Sequence, residues 1–290
     1  MPPLTHSARR SHLLQGVEVP PFFYGTAWKE ERTRALTRQA LDLGLLAIDT
    51  ANQRKHYFEA GVGEATASLL GEGRVQREQL FLQTKFTFAR GQDERMPYDA
   101  GAPYAAQVEQ SFRSSLEHLA TSYVDAYLLH GPSVAGKLAA ADWEVWQAME
   151  SLQRSGQARL LGVSNVSLAQ LSELFDRARI KPALVQNRCL ARTGWDREVR
   201  AFCRAHGLGY EGFALLTGNR RELEHPALGA IAERLRRTPQ QVVFRFALQA
   251  GMIPVTGSSS PAHLADDLAC FGFELSEPDM AKLETLASAC

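Results

Sequence analysis

Short apolar runs alternate with longer stretches of helical spacing from one end of the chain to the other. The strand-length runs are FFYGT (22–26), LLAID (45–49), LFLQTKF (80–86), VDAYLLH (124–130), RLLGVSN (159–165), ALVQN (183–187), LGYEGFA (208–214) and MIPVT (252–256). Between them, apolar residues recur at helical spacing, as in Trp143, Trp146, Met149 and Leu152. Most of the runs are apolar on both faces, as in a parallel sheet covered on both sides. Eight β-then-α units predict an α/β fold closed into a (β/α)8 TIM barrel.

Helix signals agree with these units. Thr238-Pro239 followed by QQVVFRFALQAG reads as an N-cap, a proline at the first position, an amphipathic run and a terminal glycine. Ser260-Pro261 opens the last crossover helix in the same way. The competing doubly wound sheet usually carries GxGxxG after an early strand, and this chain has none. GVGEA (61–65) looks faintly similar but follows no strand, and is read as helix packing.

The chain has 290 residues, a length that α/β barrels routinely fill as one domain. One domain over 1–290 is therefore expected, with residues 1–15 as a flexible tail. Its 32 basic and 32 acidic residues balance, which argues against a nucleic-acid or anionic-membrane partner. No apolar run reaches 18 residues, so no membrane span is expected. Cys189, Cys203, Cys270 and Cys290 are scattered without metal-ligand spacing, which speaks against a metal site and for a reducing, cytoplasmic location. The pattern commits to no oligomeric state.

Chemistry collects at the strand ends. Asp49, Lys85, His130, Ser164 with Asn165, and Gln186 with Asn187 end five consecutive strands and would meet on one face of a barrel. A lone strand-end Asp or His is more often a cap than a catalyst, but five in register are harder to dismiss. Lys85 closes a run with two apolar faces and needs a partner, which Asp49 on the neighbouring strand can supply. A Lys–Asp pair beside a tyrosine would favour phenolate and lower its pKa, preparing a general acid. Tyr57 is the candidate. The stretch between Phe86 and Tyr104 is rich in Gly, Pro and Asp and would lie on the active-site face, over a pocket.

These residues resemble the aldo-keto reductase family over nearly the whole chain. The likeness rests on GTAW (25–28), IDTA followed by a tyrosine and ExxVG, TK after the third strand, YVDAYLLHGP, LLGVSN, VQN, TPQQVVFRFALQAG and LSEPDMAKLETL. It implies a barrel that binds NADPH without a Rossmann motif and reduces aldehydes or ketones to alcohols by direct hydride transfer. It places the catalytic tetrad on Asp49, Tyr57, Lys85 and His130. Counting back from Glu59 aligns His56 with the tyrosine, but only Tyr57 has the right acid.

The resemblance also implies a nicotinamide carboxamide held by Ser164, Asn165 and Gln186, with Phe213 as the stacking ring in place of tyrosine. Leu216 and Thr217 would offer backbone to the pyrophosphate. Ser258, Ser259 and Ser260 at a helix N-terminus, with His263, would take the place of the cations that hold the 2′-phosphate. Gly25, Thr26, Asp49, Asp266 and Asp267 complete the expected cofactor wall. The segment IPVTGSSSPAHLADDL carries no Lys or Arg, so NADH is the alternative cofactor.

Trp28, His56 and Phe86 are expected to meet a small carbonyl substrate. Phe88 reads equally as pocket or core, and Trp195 and Arg192 equally as rim or surface. The chain stops soon after the last barrel helix, which implies an open site. Two other classes compete. A cofactor-binding regulatory barrel would be free to lose a buried Lys85, and a hydrolase would show GxSxG or clustered metal ligands.

Overall fold

In a computed structural model that describes residues 11–286, eight parallel strands close into a barrel. A short antiparallel hairpin precedes it, β1 (His12–Leu14) and β2 (Val17–Val19). The barrel strands are β3 (Phe23–Gly25), β4 (Ala47–Asp49), β5 (Phe81–Phe86), β6 (Val124–Leu129), β7 (Ala158–Ser164), β8 (Leu184–Arg188), β9 (Gly209–Phe213) and β10 (Met252–Thr256). They pair in chain order, and β10 returns to pair with β3. All eight expected strands are present, within a residue or two of the expected bounds.

Single helices α1 (Thr33–Asp42), α2 (Glu59–Gly71), α3 (Tyr104–Leu119), α4 (Ala140–Arg154), α5 (Leu168–Arg177) and α6 (Arg197–His206) link the strands up to β9. Two helices, α7 (Pro226–Leu235) and α8 (Pro239–Gln249), span the gap to β10, and α9 (Pro261–Leu268) and α10 (Glu277–Glu284) follow it. Their caps are those the sequence specifies. Thr238 and Ser260 accept from the amides of Gln241 and His263, each with proline at the first turn. The helix containing Trp146, Met149 and Leu152 is α4, and those three side chains are buried against the barrel.

Alternation along each strand builds two cores. Leu82 and Phe86 of β5 point outward to the helices, whereas Phe81 points into the barrel. The inner cluster joins Phe23, Ala47, Phe81, Leu128, Leu160, Leu184 and Ile253 to Leu14, Val17 and Val19 of the hairpin. The hairpin thus seals one end of the barrel with apolar side chains. Residues 11–15 were expected in a flexible tail, and this corrects that expectation; residues 1–10 lie outside the described residues. The tight turn at Gln15 (φ 47°) and Gly16 (φ 82°) matches the twist of a two-residue hairpin.

GVGEA lies inside α2, as helix packing requires. A Cβ built on Gly63 would sit 2.0 Å from the His118 carbonyl oxygen near the end of α3. Gly63→Ala should therefore force α2 and α3 apart and cost about 3 kcal/mol by overpacking. Thermal unfolding checks this, and an unchanged midpoint would mean the helices separate freely.

Candidate active site

The polar strand ends meet at the end of the barrel opposite the hairpin. In the layer above the apolar plug, five inward side chains form one buried network. Lys85 Nζ donates to Asp49 Oδ1 at 2.5 Å and to the Thr50 carbonyl at 2.8 Å. Gln83 and Gln186 each donate Nε2 to Asp49 Oδ1, at 2.8 and 3.0 Å, and to Glu211 Oε2, at 2.7 Å in both cases. Lys85 is fully buried. Burial disfavours its charge, but Asp49 and Glu211 outweigh that, and its pKa lies above the usual lysine value. Burial, with the charge of Asp49 adding to it, pushes Glu211 up to about 7.

Tyr57 reaches this network from the turn after β4. The amides of His56 and Tyr57 both donate to the Gln53 carbonyl, at 3.0 and 2.9 Å, which winds the turn back toward the barrel. The start of α2 anchors it, because buried Glu59 accepts from Thr84 and Ser115 and contacts His118. The Tyr57 ring stands 5.3 Å from Lys85 Nζ and 5.8 Å from the His130 ring, edge to face. His56 takes a different place. Its ring packs against exposed Trp28, tilted by 38° with centroids 3.9 Å apart.

The expected lowering of the Tyr57 pKa is not found. Burial raises it above the ordinary phenol value; Lys85 opposes the rise and Asp49 adds to it. The reason is the complete burial of the phenol, which outweighs Lys85, while the Asp49 carboxylate offsets part of the positive potential. His130 is pushed down to about 3 by burial, with Lys85 and His56 adding repulsion, so its imidazole is neutral.

A cavity of about 840 Å³ opens above these groups. Gly25, Trp28, Asp49, His56, Tyr57, His130, Ser164, Asn165, Gln186, Phe213, Leu216, Thr217, Ser258, His263, Asp266 and Asp267 all line it. Lys85, buried behind Tyr57, and Ser260, which caps α9, are not on its wall, and three further expected residues lie elsewhere. Phe86 is fully buried on the outer face of β5, packed on Phe88 and Tyr98, because strand alternation turns it away from Lys85. Thr26 is buried and spends its hydroxyl on the Asp49 carbonyl at 3.0 Å. Ser259 faces solvent beyond the pocket wall. Trp195 is core, its indole bonded to the Leu283 carbonyl at 2.8 Å, and Arg192 is exposed at the surface with a bond to Gly218.

The structure adds residues the sequence reading passed over. Lys29 follows Trp28 and donates across the cavity to the Gly257 carbonyl. Arg188 lies 5.2 Å over the Phe213 ring. Gln83 and Glu211 belong to the buried network, and a lone carboxylate inside LGYEGFA was a signal for the second. The stretch between Phe86 and Tyr104 is ordered and packs beside the site, with the Tyr98 hydroxyl bonded to the Thr87 carbonyl at 2.7 Å.

The wall suits a nicotinamide dinucleotide. Gln186 directs its amide nitrogen down to the carboxylates, which leaves its oxygen for a carboxamide N–H. Asn165 is fixed in a left-handed conformation (φ 53°) by a bond from Nδ2 to the His130 carbonyl, 2.8 Å. The Phe213 ring offers a flat face on the same wall. At the far end, the side chains of Ser258 and His263 line the cavity at the start of α9. Among the described residues no cluster of His, Cys, Asp and Glu could hold a metal ion, and no helix is long and apolar enough to cross a membrane.

A closed parallel barrel that gathers Tyr57, Lys85, Asp49 and His130 at one end, beneath a cavity of about 840 Å³, is the arrangement of a nicotinamide-dependent oxidoreductase. Residues 23–288 match the aldo/keto reductase family, and the chain belongs to it. It is 32% identical to glyoxal reductase of Bacillus subtilis, over 94% of this chain and 91% of that one. An aldo/keto reductase of Brucella melitensis shares its fold at TM-score 0.81 and 27% identity, covering 96% of this chain and all of the other. A Bombyx mori aldo-keto reductase solved with NADP superposes at TM-score 0.80, with 24% identity over 96% and 92% of the two chains. The family uses nicotinamide cofactors.

Proposed function

We propose that this protein is an NADPH-dependent carbonyl reductase that converts aldehydes or ketones to alcohols, with Tyr57 as the general acid. The observation that carries the reading is that Tyr57 and His130 face one cavity, with Lys85 buried behind the Tyr57 ring, and that another wall of the cavity suits a nicotinamide. When bound, the cofactor supplies the hydride. His130, neutral and facing the cavity, polarises the substrate carbonyl and fixes its direction. Tyr57 delivers its proton to the carbonyl oxygen as negative charge develops there. Lys85 stabilises the phenolate left behind, and Asp49 holds Lys85 in place. Trp28 and His56 form the aromatic rim against which the substrate body rests. We read residues 1–290 as a single working unit in the cytoplasm, where the buried thiols of Cys189, Cys203 and Cys270 stay reduced.

Ser258, His263 and Lys29 are the groups on the cavity wall available to the phosphates of NADPH. A specific observation favours NADH as well. Asp266 and Asp267 share the wall, and residues 252–268 contain no Lys or Arg. The test is oxidation of each reduced cofactor with an aromatic aldehyde, alongside the two dissociation constants. Turnover with tighter NADPH binding is expected. Equal dissociation constants would remove the 2′-phosphate role of Ser258, and tight binding without turnover on any carbonyl would favour a regulatory barrel.

A further inference from the structure

Beside the cavity, one buried hydroxyl touches a catalytic candidate without touching the pocket itself. Thr87 Oγ1 lies 2.6 Å from His130 Nδ1, just past the end of β5. Thr87 is 6% exposed, and its surroundings fix both its backbone and its rotamer. Its carbonyl accepts from the Tyr98 hydroxyl at 2.7 Å and from Gln92 Nε2 at 3.3 Å. Gln92 also donates to the Asn52 carbonyl at 2.8 Å, which ties the same loop to the turn that carries Tyr57. The Thr87 methyl packs against Gly91, where an added Cβ would come within 2.8 Å of Thr87 Cγ2. With the methyl held there, the hydroxyl has one direction left, toward the imidazole.

We infer that Thr87 is a positioning residue that donates its hydroxyl hydrogen to His130 Nδ1 and so holds His130 as the tautomer whose Nε2–H points into the cavity. A neutral imidazole carries one hydrogen, on either nitrogen. If Nδ1 carried it, the threonine hydrogen would need another acceptor, and Nδ1 is the one found for it among the described residues. With Thr87 as donor, the ring's hydrogen sits on Nε2, the nitrogen turned to the substrate. His130 then donates a hydrogen bond to the carbonyl oxygen. The other tautomer would present a lone pair and repel it.

The catalytic meaning of the tautomer rests on the reductase reading, but the tautomer can be measured without turnover. Nitrogen-15 spectra of histidine-labelled protein, assigned with His130→Asn, report which ring nitrogen is protonated. The wild type should show His130 protonated on Nε2. Thr87→Val keeps the shape and removes the donor. It should bring Nδ1–H into the population, lower kcat roughly 10- to 100-fold as loss of an imidazole's orienting partner does, and leave cofactor affinity unchanged. Thr87→Ser should restore both readouts.

A wild-type His130 protonated on Nδ1 overturns the inference whether or not any variant folds. So does an unchanged tautomer in Thr87→Val. A tautomer that shifts in Thr87→Val, in a protein whose wild type reduces no carbonyl, would support the positioning role and sink the reductase reading instead.

Discussion

Replacing Tyr57 by phenylalanine is expected to lower turnover by at least about a hundredfold, the lower range of what a positioned general acid contributes. Phenylalanine keeps the ring that packs 5.8 Å from His130 and removes only the hydroxyl. Folding and cofactor affinity should therefore be nearly unchanged, and the loss should fall on kcat rather than on cofactor binding. Steady-state rates with a saturating aldehyde, paired with fluorescence titration of the reduced cofactor, make the comparison. The neighbouring residue supplies the control. His56 packs against Trp28 on the cavity wall, so His56→Ala should weaken substrate binding and leave the proton transfer intact. Full activity in Tyr57→Phe with none in His56→Ala would assign the acid to the wrong residue.

Lys85→Met carries the other large effect, because it acts on stability and chemistry together. Methionine approximates the length of the lysine stem but cannot neutralise Asp49. Removing one partner of a buried ion pair leaves the other charge stranded, at a cost of about 3–5 kcal/mol. Here the stranded Asp49 would share its amide donors, Gln83 and Gln186, with Glu211. Denaturant unfolding should reveal the loss, and carbonyl reduction should fall below detection even in the folded fraction. Lys85→Met with wild-type stability would mean that the carboxylates take up a proton and relax without it.

The barrel was legible because each strand buries both faces and each helix keeps its apolar spacing, so the two periods separate cleanly. The strand-end residues were legible for a related reason. A charge at the end of LFLQTK or LLAID contradicts its surroundings and so marks itself. Phe86 shows the limit of that logic: adjacent residues on a strand face opposite ways, and the residue after Lys85 belongs to the helix layer. Thr87 was invisible from sequence. Its meaning depends on Gly91, Gln92 and Tyr98 folding back upon it, contacts that no periodicity encodes. The hairpin was missed because no helical run follows either of its strands, so it falls outside the repeating βα pattern, though the apolar-polar-apolar VEV was a signal. The direction of the Tyr57 shift was misread because the phenol's own burial was left out and the cation was weighed without its carboxylate.

The pairing of β10 with β3 sets Val255 beside Phe23 and Thr256 beside Tyr24. During synthesis, then, every earlier βα unit can form as it leaves the ribosome, but the ring cannot shut until the last strand has emerged. A chain halted before residue 252 would hold β3 and β9 with bare edges, each able to recruit a strand from another molecule. Release of the final segment is thus the step that turns an adhesive open sheet into a closed cylinder.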